Sequence, residues 1–96
     1  MNIGVKIQKL FSSGQPLKAI ATVFLDGGYA VHNVRVIQSD NGPFLGMPYE
    51  SFQDQDGCDW RVDVFHPVTA EARKALESAV LAAYREKISE KLPDSN

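Results

Sequence analysis

The sequence predicts an α+β fold, in which a small antiparallel β-sheet of four to five strands has one long C-terminal helix packed on it. Short segments of alternating apolar residues, separated by tight-turn signals, fill residues 3–66. One capped helical segment follows at residues 70–91. Strands followed by a helix are typical of α+β domains. The chain has 96 residues, the length of one domain, which we place at residues 1–92 with a disordered tail at residues 93–96.

The strand segments are separated by residues that favour turns. Asp26, Gly27 and Gly28 form a strong hairpin signal after the second segment, and Asn41-Gly42 marks the next turn. The second segment, LKAIATVFL, is apolar on both faces and is therefore expected to be a central strand. Residues 49–59 are polar and acidic, which predicts a loop. The predicted strands are residues 3–11, 17–25, 29–37, 44–47 and 60–65.

Two polar residues stand out against the alternation of their strands. Lys9 interrupts an otherwise apolar face of the first strand, and His32 is expected to share a face with Val34 and Val36. The apolar positions on the face that Lys9 interrupts are Ile3, Val5, Ile7 and Phe11.

The helix has a clear beginning and two apolar stripes. Thr69 is expected to be its N-cap, Glu71 lies where the helix dipole favours a carboxylate, and Pro93 stops it. At 100° per residue, the first stripe faces the sheet and the second is rotated by about a third of a turn. The first stripe contains Ala72, Ala75, Leu76, Ala79, Val80 and Ala83. The second stripe contains Leu81, Tyr84, Ile88 and Leu92.

The second stripe has two explanations. A curled sheet or the 49–59 loop covers it, or it forms a homodimer contact through Leu81, Tyr84 and Ile88. A third side of the helix brings Lys74 and Arg85 together, and it is either a solvated face or a surface that contacts phosphates.

Composition limits the compartment and the partners. The single cysteine, Cys58, excludes an intramolecular disulfide, and no apolar run approaches the roughly 20 residues that span a bilayer. We therefore expect a cytoplasmic protein with no membrane partner. The net charge of −2 is unevenly distributed. Residues 1–38 contain four basic residues and one acidic one, whereas residues 39–66 contain one basic residue and six acidic ones. This leaves room for a local basic surface.

No pattern of catalytic or metal-binding residues is found. His32, His66 and Cys58 fit no zinc spacing, and Asp54 begins an acidic turn that lacks the bidentate glutamate of a calcium loop. No nucleophile elbow and no phosphate-binding glycine loop is present. We expect no enzyme activity, no catalytic residue, no metal and no cofactor.

Several segments together resemble a known family. These are LKAIATVFLD at residues 17–26, AVHNVRVI at 30–37, NGPFLGMP at 41–48 and FHPV at 65–68. The helix agrees through Arg73, the Ala79-Val80-Leu81 run and Tyr84. Over residues 3–88 the chain resembles the stage V sporulation protein G (SpoVG, septation regulator) family.

The resemblance implies a homodimeric bacterial cytosolic regulator that is linked to septation and sporulation and binds DNA or RNA. The family often has basic residues after its Met-Pro motif, but here no lysine or arginine follows Pro48 until Arg61. The phosphate contacts are therefore expected on the helix, at Arg73, Lys74, Arg85 and Lys87. The alternative is a protein-interaction module that binds a regulatory or division protein through the acidic loop or the second stripe.

Overall fold

The computed structural model describes residues 1–11 and 14–91. The elements, in chain order, are β1 (Ile3–Leu10), β2 (Leu17–Leu25), β3 (Tyr29–Ser39), β4 (Gly42–Gly46), β5 (Tyr49–Gln53), β6 (Asp59–Asp63) and α1 (Ala70–Lys91). The predicted α+β class is confirmed. Leu92 and the predicted tail lie outside the described residues.

The first four strands form one antiparallel sheet in the order β1-β2-β3-β4. Helix α1 covers one face of this sheet, called the inner face here, and lies mainly against β1. Leu76 and Val80 are the two helix residues that are buried in the core. The other buried apolar residues are Ile7, Ala19, Ala21, Val23, Val34, Val36, Leu45 and Met47. The opposite, outer face is not covered by the helix.

The helix begins where its sequence predicts. The Ala72 backbone N–H donates a hydrogen bond of 3.0 Å to the Thr69 hydroxyl, which satisfies one of the amide groups left without a partner in the first turn. The hairpin signal after β2 is also confirmed. Asp26 and Gly27 have φ values of 52° and 70°, and the Gly28 N–H bonds to the Leu25 carbonyl at 3.0 Å. Positive φ at both central residues matches the right-handed twist of the paired strands.

The prediction of a loop at residues 49–59 is wrong for its first half. Tyr49–Gln53 is strand β5, and it pairs only with β6, in a separate two-stranded hairpin. The predicted fifth strand is therefore not part of the main sheet, and it spans Asp59–Asp63 rather than residues 60–65. Alternation predicted β6, but it gave no signal for β5, whose five residues are all exposed and mostly polar.

A β-bulge in β1 explains the exceptional lysine. Lys6 pairs with Thr22, whereas Lys9 pairs with Ile20, so that one extra residue lies between them. The bulge reverses the alternation, because an inserted residue moves the next side chain to the other face. Leu10, rather than Phe11, consequently continues the inner face, and Lys9 points outward.

A second bulge corrects the prediction for His32. Val31 pairs with Val23 and Val34 pairs with Ala21, which leaves one extra residue in β3. Asn33 has a φ of 68°, a left-handed conformation that asparagine tolerates better than most residues. His32 is therefore exposed on the outer face instead of sharing the inner face with Val34. Its Nδ1 lies 3.1 Å from the Thr22 hydroxyl.

Candidate functional site

The predicted phosphate-contact residues of α1 do not form one surface. Arg73, Lys74 and Arg85 are exposed. Lys74 and Arg85 lie about 20° apart around the helix axis and about 16 Å apart along it. They lie on the side of α1 that points away from the buried Leu76. This cationic pair is open to a ligand.

Lys87 lies on a different side of the helix. It follows the buried Val80 after two turns, and so continues the stripe that faces the sheet. There it lines a groove of about 570 Å³ together with Lys6 and Lys9 of β1. The structure therefore separates Lys87 from Lys74 and Arg85, and joins it to two lysines that sequence reasoning did not include. The one available signal was Lys9, as the exception on an apolar face.

Few carboxylates neutralise these cations. Among the side chains of residues 1–11 and 14–90, one ion pair is found: Lys87 Nζ lies 3.8 Å from Glu90, and both side chains are solvated. Arg85 has no acidic residue three or four positions away on the helix, whereas Lys74 has Glu71 and Glu77 at that spacing. Among the four predicted phosphate-contact residues, Arg85 is therefore the one least compensated by carboxylates of the helix.

The predicted dimer-contact residues are partly used within the protomer. Leu81 and Tyr84 pack against the core cluster, although neither is fully buried. Ile88 is also half-buried. Each of these side chains keeps some exposed surface, but the core already accounts for part of the second stripe.

A largely apolar surface lies on one face of the hairpin formed by β5 and β6, with Glu50 as the acidic residue on that face. Phe52 and Trp60 are each 52% exposed, and they stack across the strands with ring centroids 6.5 Å apart. Val62 and Val64 continue the same face and are exposed. A two-stranded hairpin is only marginally stable in water by itself, and exposed apolar patches are typical of interaction sites.

The tip of the hairpin is organised by one carboxylate. Asp54 accepts hydrogen bonds of 2.9 Å from the Trp60 indole N–H and from the backbone N–H groups of Cys58 and Asp56. These bonds, the indole bond first, lower the pKa of Asp54, because they stabilise its charged form. The residues that resembled a calcium loop thus form a turn closed on its own backbone.

Two arginines contact Tyr49 of β5, and one of them, Arg35 of β3, connects the hairpin to the sheet. The guanidinium carbon atoms of Arg61 and Arg35 lie 4.3 and 5.2 Å from the centroid of the Tyr49 ring. Such contacts are cation–π interactions. Arg35 also donates a hydrogen bond of 3.1 Å to the Met47 carbonyl. The Met47-Pro48 segment, which is followed by no lysine or arginine until Arg61, is therefore approached by Arg35 from β3.

No metal site is formed by the described residues: within residues 1–11 and 14–91, no three His, Cys, Asp or Glu side chains come together in a suitable group. In that same part of the chain, no helix is both long and apolar enough to pass through a lipid bilayer.

The chain was compared with known families and proteins. The family described as SpoVG matches residues 1–86. A septation protein provisionally named SpoVG from Exiguobacterium sibiricum is 42% identical over 85 residues, which cover 88% of this chain and 78% of the relative. Proteins with the same provisional name from Clostridium beijerinckii and Staphylococcus aureus are 34% and 35% identical. These matches cover 92% and 96% of this chain, and 91% and 86% of the relatives. The chain belongs to the SpoVG family.

Proposed function

We propose that this chain is a cytoplasmic, non-catalytic regulator that binds nucleic acid as a homodimer and influences septation, sporulation or gene expression. One observation carries the proposal: Lys74 and Arg85 are exposed on the same side of α1, and Arg85 has no carboxylate at contact spacing. Exposed cations that are not already paired can replace the counterions of a phosphate backbone. Arg73 adds a third exposed cation on the same helix.

The relatives support the cellular part of the proposal through their names, which describe septation proteins and not enzymes. A regulator of this kind needs binding surfaces and no reactive group. The absence of a catalytic role is therefore part of the proposal, and we expect no turnover of the nucleic acid that is bound.

Self-association is the second part of the proposal. Exposed apolar side chains on the hairpin, among them Phe52, Trp60 and Val62, need a cover that the protomer does not supply. The surface left free by Leu81, Tyr84 and Ile88 can contribute to the same contact. A two-fold dimer would also double the number of cations that face one nucleic acid.

A salt titration tests the proposal. Binding of the protein to labelled mixed-sequence DNA and RNA is measured by fluorescence anisotropy over a range of salt concentrations. We expect the logarithm of the affinity to fall linearly with the logarithm of salt concentration. The double variant Lys74→Ala/Arg85→Ala should lower the slope by about 2 per protomer, because each phosphate contact on duplex DNA contributes about 0.9. Ser78→Ala on the same side is the matched control and should bind as the unchanged protein does. No binding at low salt would overturn the proposal.

The hairpin favours one alternative, a module that binds a protein and no nucleic acid. Its apolar face is exposed, while Asp59 and Asp63 lie on the other face of the same hairpin. A partner with an apolar and basic surface would fit this arrangement. The double variant Phe52→Ser/Trp60→Ser distinguishes the two functions. If this variant no longer self-associates but keeps the same salt slope per protomer, the regulator is supported. If neither the variant nor the unchanged protein binds nucleic acid, the module is supported.

A further inference from the structure

We infer that the free edge of β1 is a second phosphate-binding site, in which Lys6, Lys9 and Lys87 contact the backbone of the bound nucleic acid. This inference rests on the proposed function. It assigns part of the nucleic-acid binding to a surface separate from the side of α1 that contains Lys74 and Arg85.

The bulge in β1 brings the two strand lysines together. Residues three apart in a regular strand point to opposite faces, because side chains alternate with a period of two. Here the register changes between Ile7 and Lys9, so that Lys6 and Lys9 pair with Thr22 and Ile20 on the same outer face. Bulges are common at sheet edges and next to functional sites, where they redirect a side chain.

The third lysine comes from the helix. Helix α1 lies mainly against β1, and Lys87 continues its sheet-facing stripe beyond the last fully buried residue, Val80. The ammonium group is thereby directed to the edge of the sheet. The groove of about 570 Å³ at this edge is lined by the three lysines together with Ile7, Gln8 and Leu10.

The electrostatic surroundings favour an anion. The strands β1, β2, β3 and β4 contain Lys6, Lys9, Lys18 and Arg35 and no aspartate or glutamate. The carboxylate paired with this lysine cluster is Glu90, in a solvated contact of 3.8 Å with Lys87. An exposed pair of this kind contributes little energy, so a phosphate can displace it at small cost.

The edge also offers backbone groups. Strand β1 is the first strand of the sheet and pairs with β2 alone. An edge strand presents unpaired N–H groups, which are donors that suit phosphate oxygens. The side-chain amide of Gln8 donates a hydrogen bond of 3.2 Å to the Thr22 hydroxyl, which ties the bulge to β2.

The test replaces the three lysines and measures the salt slope. The triple variant Lys6→Gln/Lys9→Gln/Lys87→Gln is compared with the charge-preserving triple arginine variant at the same positions. The probes are the same labelled DNA and RNA. We expect the glutamine variant to reduce the slope by about 2 to 3 per protomer and the arginine variant to leave it nearly unchanged. Adding Lys74→Ala/Arg85→Ala to the glutamine variant should lower the slope further, by about as much as in the unchanged protein, because the two surfaces are separate.

The possible outcomes separate the two proposals. If the unchanged protein binds with the expected salt dependence but the glutamine variant has the same slope, the β1 site is wrong and the proposed function stands. If the unchanged protein does not bind, both proposals fail.

A second measurement needs no variant. Lysines are acetylated by a water-soluble ester, with and without bound nucleic acid, and the modified positions are compared. Protection of Lys6, Lys9 and Lys87 supports the site, and equal acetylation of all three in both states overturns it.

Discussion

Arg35 occupies the space that a side chain at position 46 would need. A Cβ atom on Gly46 would lie 2.7 Å from Arg35 Nη2 and 2.8 Å from the Cδ1 atom of Ile37. Because Gly46 pairs directly with Arg35 across β3 and β4, the guanidinium can lie over the strand and reach the Met47 carbonyl. Gly46 thus permits the contact that links the sheet to the start of the hairpin.

Replacing this glycine should weaken the link. We expect Gly46→Ala to lower the free energy of unfolding by about 1–2 kcal/mol, because Arg35 must move away and lose its bond to Met47. The atoms in the way are the ends of flexible side chains, so the strand itself can stay in place. Urea denaturation measures the change. Gly28→Ala, where no atom lies within 4 Å of the added Cβ, is the control and should change stability by less than about 0.5 kcal/mol. Equal losses in the two variants would contradict the role of Gly46.

Two leucines of α1 allow the core and the proposed dimer contact to be compared. Leu76 is 3% exposed, so Leu76→Ala should cost about 2–4 kcal/mol at any protein concentration. Leu81→Ala removes the same atoms from a half-buried site and should cost about 1 kcal/mol in an isolated protomer.

A dependence on protein concentration distinguishes the two roles. If Leu81 contributes to a dimer, the stability difference between the unchanged protein and Leu81→Ala should grow as the protein concentration rises. Unfolding curves at two concentrations, together with sedimentation, measure it. A constant difference would place Leu81 in the core alone.

The helix cap provides a conservative comparison. Thr69→Ala removes the hydroxyl that accepts the Ala72 N–H, and we expect a loss of about 1 kcal/mol of stability. Thr69→Ser keeps the hydroxyl and should retain most of the stability. Thermal denaturation followed by circular dichroism compares the two variants. Similar melting temperatures for alanine and serine would show that the cap is unimportant.

The hairpin tip should respond to acid. The pKa of Asp54 is lowered in the folded protein from its ordinary value of 3.8, first by the Trp60 indole bond. Because the pKa is lower in the folded protein, the charged carboxylate stabilises the fold at pH values above the pKa of the unfolded protein. This contribution is lost as the pH falls through the pKa of the folded protein. Trp60 is the only tryptophan, so its fluorescence reports on this bond. We expect a fluorescence transition with a midpoint below pH 3.8.

Two variants assign that transition. Asp54→Asn should abolish it, because the amide does not titrate. Asp56→Asn is the control, since the described hydrogen bonds of Asp56 involve its backbone and not its carboxylate. A transition that persists in Asp54→Asn, or a midpoint well above pH 3.8, would contradict the assignment.

Local sequence signals alone predicted a large part of this fold. The hairpin at Asp26 and Gly27, the cap at Thr69 and the start of α1 at Ala70 were predicted correctly, because each depends on residues that are neighbours in the chain. The family resemblance also came from the sequence and was confirmed by the matches.

The tertiary structure decided which residues share a surface. The position of a bulge depends on how two strands pair, so neither the outward turn of Lys9 nor the exposure of His32 followed from alternation. Strand β5 was missed because its partner, rather than a buried face, holds it in place. The grouping of Lys87 with Lys6 likewise required the packing of α1 on β1, a contact between segments that are about 80 residues apart. Contacts made by distant segments depend on the three-dimensional packing of the whole chain, and that packing is what placed the cations.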